Sequence, residues 1–233
     1  MTLLPENEVQ LWYFKVDEFL KDVESYANLL SLKETARADS FKFDKDRTVY
    51  ILARGLLRIL SGRYLNKIPK KIKFDYGEYG KPGYKFQNPI AFNISHSGNM
   101  IVMAFARNCE IGVDIEKIKD DFDVIDIAHH FFSPDEIQTL KALPEQEQVY
   151  GFYRCWTRKE SFIKAKGSGL SFPLTSFSVS LDVDYAELLR TDWDSTEKKE
   201  WQLFTFTTTK DYLGALSVKG NVESIRQMKW HGS

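Results

Sequence analysis

Hydrophobic and polar positions follow two rhythms along this chain, and each rhythm occurs in both halves. "VQLWYFKV" (9–16) reads as a first strand, and two short helices are predicted around 18–30 and 32–40. In "DRTVYILARGLLRILSGRYL" (46–65), Val49, Leu52, Ala53, Leu56, Leu57 and Leu60 fall at helical spacing, with Gly62 as the expected stop signal. The period then changes to two: 72–76, 90–95 and 100–106 are predicted strands, the last apolar enough to be buried. "RNCE" (107–110) has the length of a hairpin loop leading into the strand "IGVDIE" (111–116).

A second round follows. In "SPDEIQTLKAL", Ser133 is the expected N-cap, Pro134 the first helical residue and Glu136 the partner in a capping box. A longer helix is predicted over 146–165, ended by the glycines of "KGSG", and strands over 177–183, 201–209 and 212–218 close the chain. "RTDWDSTEKKE" (190–200) reads as a polar, mobile loop. Strand, helices, three strands thus occurs twice. The expected fold class is α+β: two similar lobes, 1–110 and 111–233, each a small, mainly antiparallel sheet packed with helices, with a ligand cleft between them.

Composition narrows the function. In 233 residues, 43% hydrophobic and 14% aromatic, there is material for a full core. A net charge of −1 gives no field that would draw the whole molecule to nucleic acid or a membrane. Cys109 and Cys155 are too far apart in sequence to make a metal site alone and read as reduced core fillers. The first residues include Glu6 and Glu8 and lack the basic-then-apolar order of a signal peptide, so a cytoplasmic protein is expected.

Three stretches carry candidate chemistry. In "IGVDIE", alternation places Gly112, Asp114 and Glu116 on one face, the Cα atoms of the two acids about 6.6 Å apart. Their oxygens can converge on one hard cation, with Gly112 leaving open space beside them; a solvated acidic face is the alternative. In "CWTRKESFIKAKGSG" (155–169), Glu160 is the one acid among Arg154, Arg158, Lys159, Lys164 and Lys166. Helical phase sets it beside the inward stripe of Phe152, Trp156 and Ile163, while Arg158, Lys159 and Lys166 are expected to reach water. Glu160 is then either an i,i+4 salt bridge with Lys164 or the third ligand of a cation held by Asp114 and Glu116. Three carboxylates plus water suit magnesium, with Lys164 facing phosphate. In "FNISHSGNM" (92–100), Ser95, His96, Ser97 and Gly98 form a candidate phosphate-binding turn or an ordinary turn with a surface histidine. Adjacent strand residues project to opposite faces, which argues against a Ser-His hydrolase dyad. "GEYGKPG" (77–83) is a turn by composition; lining the same cleft, Lys81 could meet phosphate and the backbone around Gly80 and Pro82 a flat base. "KIPKKIK" (67–73) reads as a solvated loop, and His129 and His130 as structural.

"EYGKP", "FNISHS", "IGVDIE" and "CWTRKESFIKAKGSGL", in this order and spacing, closely resemble the Sfp-type 4'-phosphopantetheinyl transferases, over roughly residues 29–218. The resemblance implies two α/β lobes with coenzyme A between them. It implies transfer of the 4'-phosphopantetheine arm to a serine of an apo acyl, peptidyl or aryl carrier protein, with release of adenosine 3',5'-bisphosphate. Asp114, Glu116 and Glu160 match the family's magnesium ligands, with manganese an alternative ion. Lys164 matches the lysine near the pyrophosphate, making Glu160 and Lys164 the candidate catalytic pair. Ser95 and His96 match phosphate contacts; Gly80, Lys81 and Pro82 match the adenine-side loop; Arg47 and Thr48 match a pair near the 3'-phosphate. Upstream the family often has basic residues after an S-x-E-like helix start; Arg37 is the candidate here, and Glu34 stands where a lysine can occur. The segment 117–132, with Phe122, Val124 and Ile125, occupies the carrier-contacting region, although Asp120, Asp121 and Asp123 oppose an acidic partner. Glu160 or a metal-bound hydroxide would take the serine proton. Two lobes in one chain make a monomer self-sufficient. The competing readings are a non-catalytic coenzyme A or nucleotide-binding module and a carboxylate-triad phosphohydrolase.

Overall fold

The computed structural model describes residues 4–230. The first half opens on β1 (Glu8–Lys15), continues through a 3-10 helix (Val16–Asp22), α1 (Val23–Ala27), α2 (Leu32–Asp39) and α3 (Asp44–Leu65), and makes a short hairpin from β2 (Phe74–Tyr76) and β3 (Pro82–Tyr84). It closes with β4 (Ile90–Ser97) and β5 (Met100–Arg107). The second half repeats the order: β6 (Glu110–Lys117), then α4 (Val124–Phe131), α5 (Pro134–Ala142) and α6 (Glu145–Lys166), a hairpin of β7 (Phe177–Val179) and β8 (Leu188–Thr191), then β9 (Trp201–Phe206) and β10 (Tyr212–Lys219). In each half the first strand pairs antiparallel with the last, which pairs antiparallel with the one before it, giving β1-β5-β4 and β6-β10-β9. The expected α+β pair of similar lobes is therefore present, duplicated down to strand order. One further strand, β11 (Ser224–Lys229), returns and runs parallel to β1.

Burial explains the stacking. β5 is apolar on both faces: Ile101, Met103 and Phe105 join the core under α3, while Met100, Val102, Ala104 and Ala106 join Ile111, Val113 and Ile115 of β6 between the two sheets. α6 covers the other face of the second sheet, leaning on β6 and β10. The order of layers is helix, sheet, sheet, helix, and the centre of the middle interface is apolar because β5 and β6 present period-two apolar rows to it.

Several local expectations need correction. "RNCE" does not close a hairpin: β5 already pairs on both edges, with β1 and β4, so β6 has no free edge to join and begins the second sheet instead. Asn108, in the left-handed region at φ 53°, makes the change of direction. Gly62 does not stop α3. The helix ends at Asn66 (φ 51°), and Gly62 is needed because a Cβ there would lie 2.7 Å from the Lys67 carbonyl. The capping box at Ser133 and Glu136 forms as expected, as does the glycine cap of α6 at Gly167 (φ 70°). The 190–200 loop is anchored at two points: Trp193 packs edge-on to Phe172 at 5.0 Å, and Glu197 is buried against Lys166 at 2.5 Å. α4, β3, β8 and β11 were not foreseen. Among the described residues no helix is long and apolar enough to cross a membrane.

Candidate active site

The site depends on how closely α6 can approach β6. A Cβ on Gly112 would lie 2.0 Å from the Ser161 carbonyl oxygen and 2.3 Å from the Ala165 nitrogen. The space that the sequence suggested beside Gly112 is thus filled by helix backbone. Next to this contact Ser161 Oγ and Ser217 Oγ are 2.8 Å apart, tying α6 to β10. Glu160 and Lys164 flank Ser161, and Asp114 follows Gly112 on the same strand face, so backbone contact brings these three side chains together.

The i,i+4 bridge is not made. Lys164 Nζ instead donates to Asp114 Oδ1 at 2.5 Å and to Ser95 Oγ at 2.9 Å, and Ser95 Oγ donates to the same Asp114 oxygen at 2.9 Å. Asp114 Oδ2 and Glu160 Oε1 are buried with no hydrogen-bond partner. Burial raises the Glu160 pKa to about 7; Asp114 and Glu116 push in the same direction and Lys164 opposes them. Glu116 is raised too, by burial first, against the hydrogen bond it accepts from Ser97 Oγ at 2.6 Å. Buried carboxylate oxygens without donors fit a hard divalent cation. The neighbouring acids push Glu160 toward protonation, which such an ion would relieve. Without it, no three acids or imidazoles among the described residues are drawn into a ready metal cluster, and the Lys164 ammonium is the cation that Asp114 holds.

β4 is stitched to β6 by side chains instead of a backbone ladder. Asn93 Oδ1 accepts from the Val113 amide at 2.9 Å, Ser95 binds Asp114, and Ser97 Oγ also accepts from the Lys117 amide at 3.1 Å. These three residues lie on the inter-sheet face of β4, opposite Ala104, Val102 and Met100 of β5. The positioning role of Asn93 and Ser97 was missed, and its signal was the N-x-S-x-S period itself. His96, on the other face, is exposed. Crowding by protein and then Lys164 hold its pKa below the ordinary value, with Asp46 of α3 among the opposing charges. The turn after His96, Gly98–Asn99, is not a free anion nest, because the Asn99 amide donates to Tyr212 OH at 2.8 Å.

A cavity of about 380 Å³ opens beside these groups. Its wall includes Gly80, Lys81 and Pro82 on one side and Glu160, Ile163 and Lys164 on the other. Lys81 shares the site but points its ammonium at two carbonyls, Ala165 O at 2.6 Å and Ile111 O at 3.1 Å; burial brings its pKa to about 8. Arg47 and Thr48 are outside this wall, in the early turns of α3. Arg47 is exposed and paired with Asp39 at 3.0 Å. Arg37 is exposed, whereas Glu34 is only 3% exposed and binds both Arg54 and Arg58.

Two other cations of α6 do not reach water as expected, whereas Lys166 is part-exposed. Arg158 and Lys159 are both 0% exposed. Arg158 donates to the carbonyls of Ser180 and Asp182; Lys159 pairs with Glu136 at 2.8 Å and donates to the Phe177 carbonyl at 2.7 Å. The hairpin β7–β8 and α5 cover this side of α6, leaving only the Glu160–Lys164 edge open to the cavity. In the expected carrier-facing segment Val124 is buried and Phe122 packs on Phe152 at 5.7 Å; Phe131 is the large apolar side chain that α4 exposes.

Residues 110–217 match the family model of the 4'-phosphopantetheinyl transferase superfamily, and residues 17–108 match the model described as 4'-phosphopantetheinyl transferase, N-terminal. The chain is 33% identical over 223 residues to the 4'-phosphopantetheinyl transferase HetI of Nostoc sp., covering 94% of this chain and 91% of that one. It is 32% identical to a putative 4'-phosphopantetheinyl transferase of Synechocystis sp., covering 86% and 80%. To the 4'-phosphopantetheinyl transferase Sfp of Bacillus subtilis it is 38% identical, over 69% and 70% of the two chains.

Proposed function

The chain belongs to the 4'-phosphopantetheinyl transferase superfamily, and from that premise we propose how its cleft moves the phosphopantetheine arm of coenzyme A onto a carrier-protein serine. The serine oxygen forms a bond to the phosphorus next to the pantetheine arm, the pyrophosphate P–O bond breaks, and adenosine 3',5'-bisphosphate leaves with the electron pair. The reading rests on one observation above others: Asp114 Oδ2 and Glu160 Oε1 are buried without partners beside a lysine in a cleft.

Asp114, Glu116 and Glu160 are the residues that would hold magnesium or manganese; bound there, the ion would supply positive charge to a pyrophosphate. Lys164 neutralises charge on the departing phosphate once it leaves Asp114 for the ligand. Ser95 and His96 bind phosphate oxygens from β4, and Arg47 and Thr48 serve the 3'-phosphate at the start of α3. Gly80 and Pro82 line the adenine side with their backbone. Glu160, which borders the cavity beside Lys164, is placed to accept the serine proton. We place the division between the coenzyme A half and the carrier half at 110/111, with β11 crossing back, and expect a cytoplasmic monomer.

The experiment is incubation with coenzyme A, magnesium and an apo carrier protein, followed by mass spectrometry of the carrier. Transfer adds one phosphopantetheine to the carrier mass and stops with chelator. Tight coenzyme A binding without any mass gain over a panel of carriers overturns the transferase reading, and turnover indifferent to chelator overturns the metal ligands.

A further inference from the structure

The β2–β3 hairpin is held at both ends, and by different halves of the protein. At its root, Arg58 donates to the Ile72 carbonyl at 2.9 Å and the Arg54 guanidinium lies 4.8 Å from the Phe74 ring, while farther along β2 Arg54 donates to Tyr76 OH at 2.9 Å. Buried Glu34 fixes both arginines. The tip turns through Gly77 and Gly80 (φ 81°), closed by the Gly77 amide on the Lys81 carbonyl at 2.9 Å. From there the Lys81 side chain crosses to the second half, to the carbonyls of Ile111 in β6 and Ala165 in the last turn of α6.

Those acceptors matter. At the end of α6, Gly167 and Ser168 amides return to Lys164 and Ile163, leaving the Ala165 carbonyl for Lys81. A cation is also favoured at a helix C-terminus. If the ammonium turned to a phosphate it would abandon two carbonyls that it now satisfies. We propose that Lys81 is a positioning residue: it clamps the 77–81 loop of the first half onto α6 and β6 of the second, setting the cavity wall without binding phosphate itself. The ligand in this statement rests on the coenzyme A reading above; the clamp rests on the hydrogen bonds alone.

The test uses Lys81→Met and, should that variant fold poorly, Lys81→Gln, which keeps one donor. In the ligand-free protein, amides of 79–84 and of the last turn of α6 should exchange with deuterium about tenfold faster than in the parent. A phosphate ligand would leave ligand-free exchange untouched. In the transfer assay KM for coenzyme A should rise about tenfold with kcat held within about twofold, and Lys81→Gln should fall between Met and the parent. Unchanged exchange in both variants, or a fall in kcat at constant KM, overturns the clamp. If the parent neither binds coenzyme A nor transfers, the coenzyme A reading has failed, and the exchange result alone decides the clamp.

Discussion

Replacing Gly112 with alanine tests whether backbone contact between α6 and β6 builds the site. The new methyl would lie 2.0 Å from Ser161 O, 2.3 Å from Ala165 N and 2.9 Å from Ala165 Cα, where ordinary contact starts at 3.4 Å. All three are backbone atoms of a 22-residue helix, so no side chain can turn aside and α6 must move by more than an ångström. Overpacking of this kind costs about 1–3 kcal/mol, and separating Ser161 from Ser217 adds about 1 kcal/mol. Both appear as a lower midpoint in urea denaturation. The chemistry should suffer more than the fold, because Glu160 and Lys164 ride on the displaced turns while Asp114 stays on β6. An ångström of misplacement costs about 10²-fold in rate, read as kcat per folded molecule. Gly83→Ala, where nothing lies within 4 Å of the added Cβ, is the control and should leave both quantities unchanged. Parental stability and turnover in Gly112→Ala would show that the contact does not set the site.

Two further perturbations separate charge from packing. The Glu160 carboxyl titrates at about 7 in the folded protein, against an ordinary 4.5. Between these values the folded state holds a proton that the unfolded state lacks, so stability falls as pH rises through that window. In chelator, Glu160→Gln should therefore be more stable than the parent at pH 8, by up to about 3 kcal/mol, and equal near pH 4, while transfer is lost; parallel stability curves would refute the burial argument. Lys159→Met leaves Glu136 buried without its cation and should cost about 3–5 kcal/mol, seen as a large drop in the urea midpoint, whereas a change within about 0.5 kcal/mol would mean that Lys159 is solvated after all.

What could be read in advance follows from range. Capping at Ser133 and Gly167, the two 22-residue helices α3 and α6 and the alternation of "IGVDIE" are decided by neighbours in sequence, and they were legible. So was the grouping of Asp114 with Glu160 through motif order. The fate of Arg158 and Lys159 was not, because helical phase says which residues share a face and not how many faces are covered; β7–β8 and α5 come from elsewhere to cover theirs. Gly112 misled for the same reason, since a missing side chain marks either open space or another backbone. β11 was illegible because its partner β1 is more than 200 residues away and its own burial is too slight to show a period.

The duplicated topology explains why the chemistry lies at the seam. β1-β5-β4 and β6-β10-β9 leave β4 and β6 as sheet edges, and edges carry unpaired backbone groups that must be satisfied. A direct ladder would have fused the sheets and left no room for a ligand. Asn93, Ser95 and Ser97 span the junction with side chains instead, and every second residue of β4 then points at β6, where Gly112, Asp114 and Glu116 alternate with the apolar row. The same bonds that join the halves thus orient two carboxylates, and α6, seated on Gly112, adds the third carboxylate and the lysine. It follows that lobe packing and site geometry are one structural problem in this protein: loosening the seam at Ser95 or Ser97 must disturb the acids before it separates the lobes.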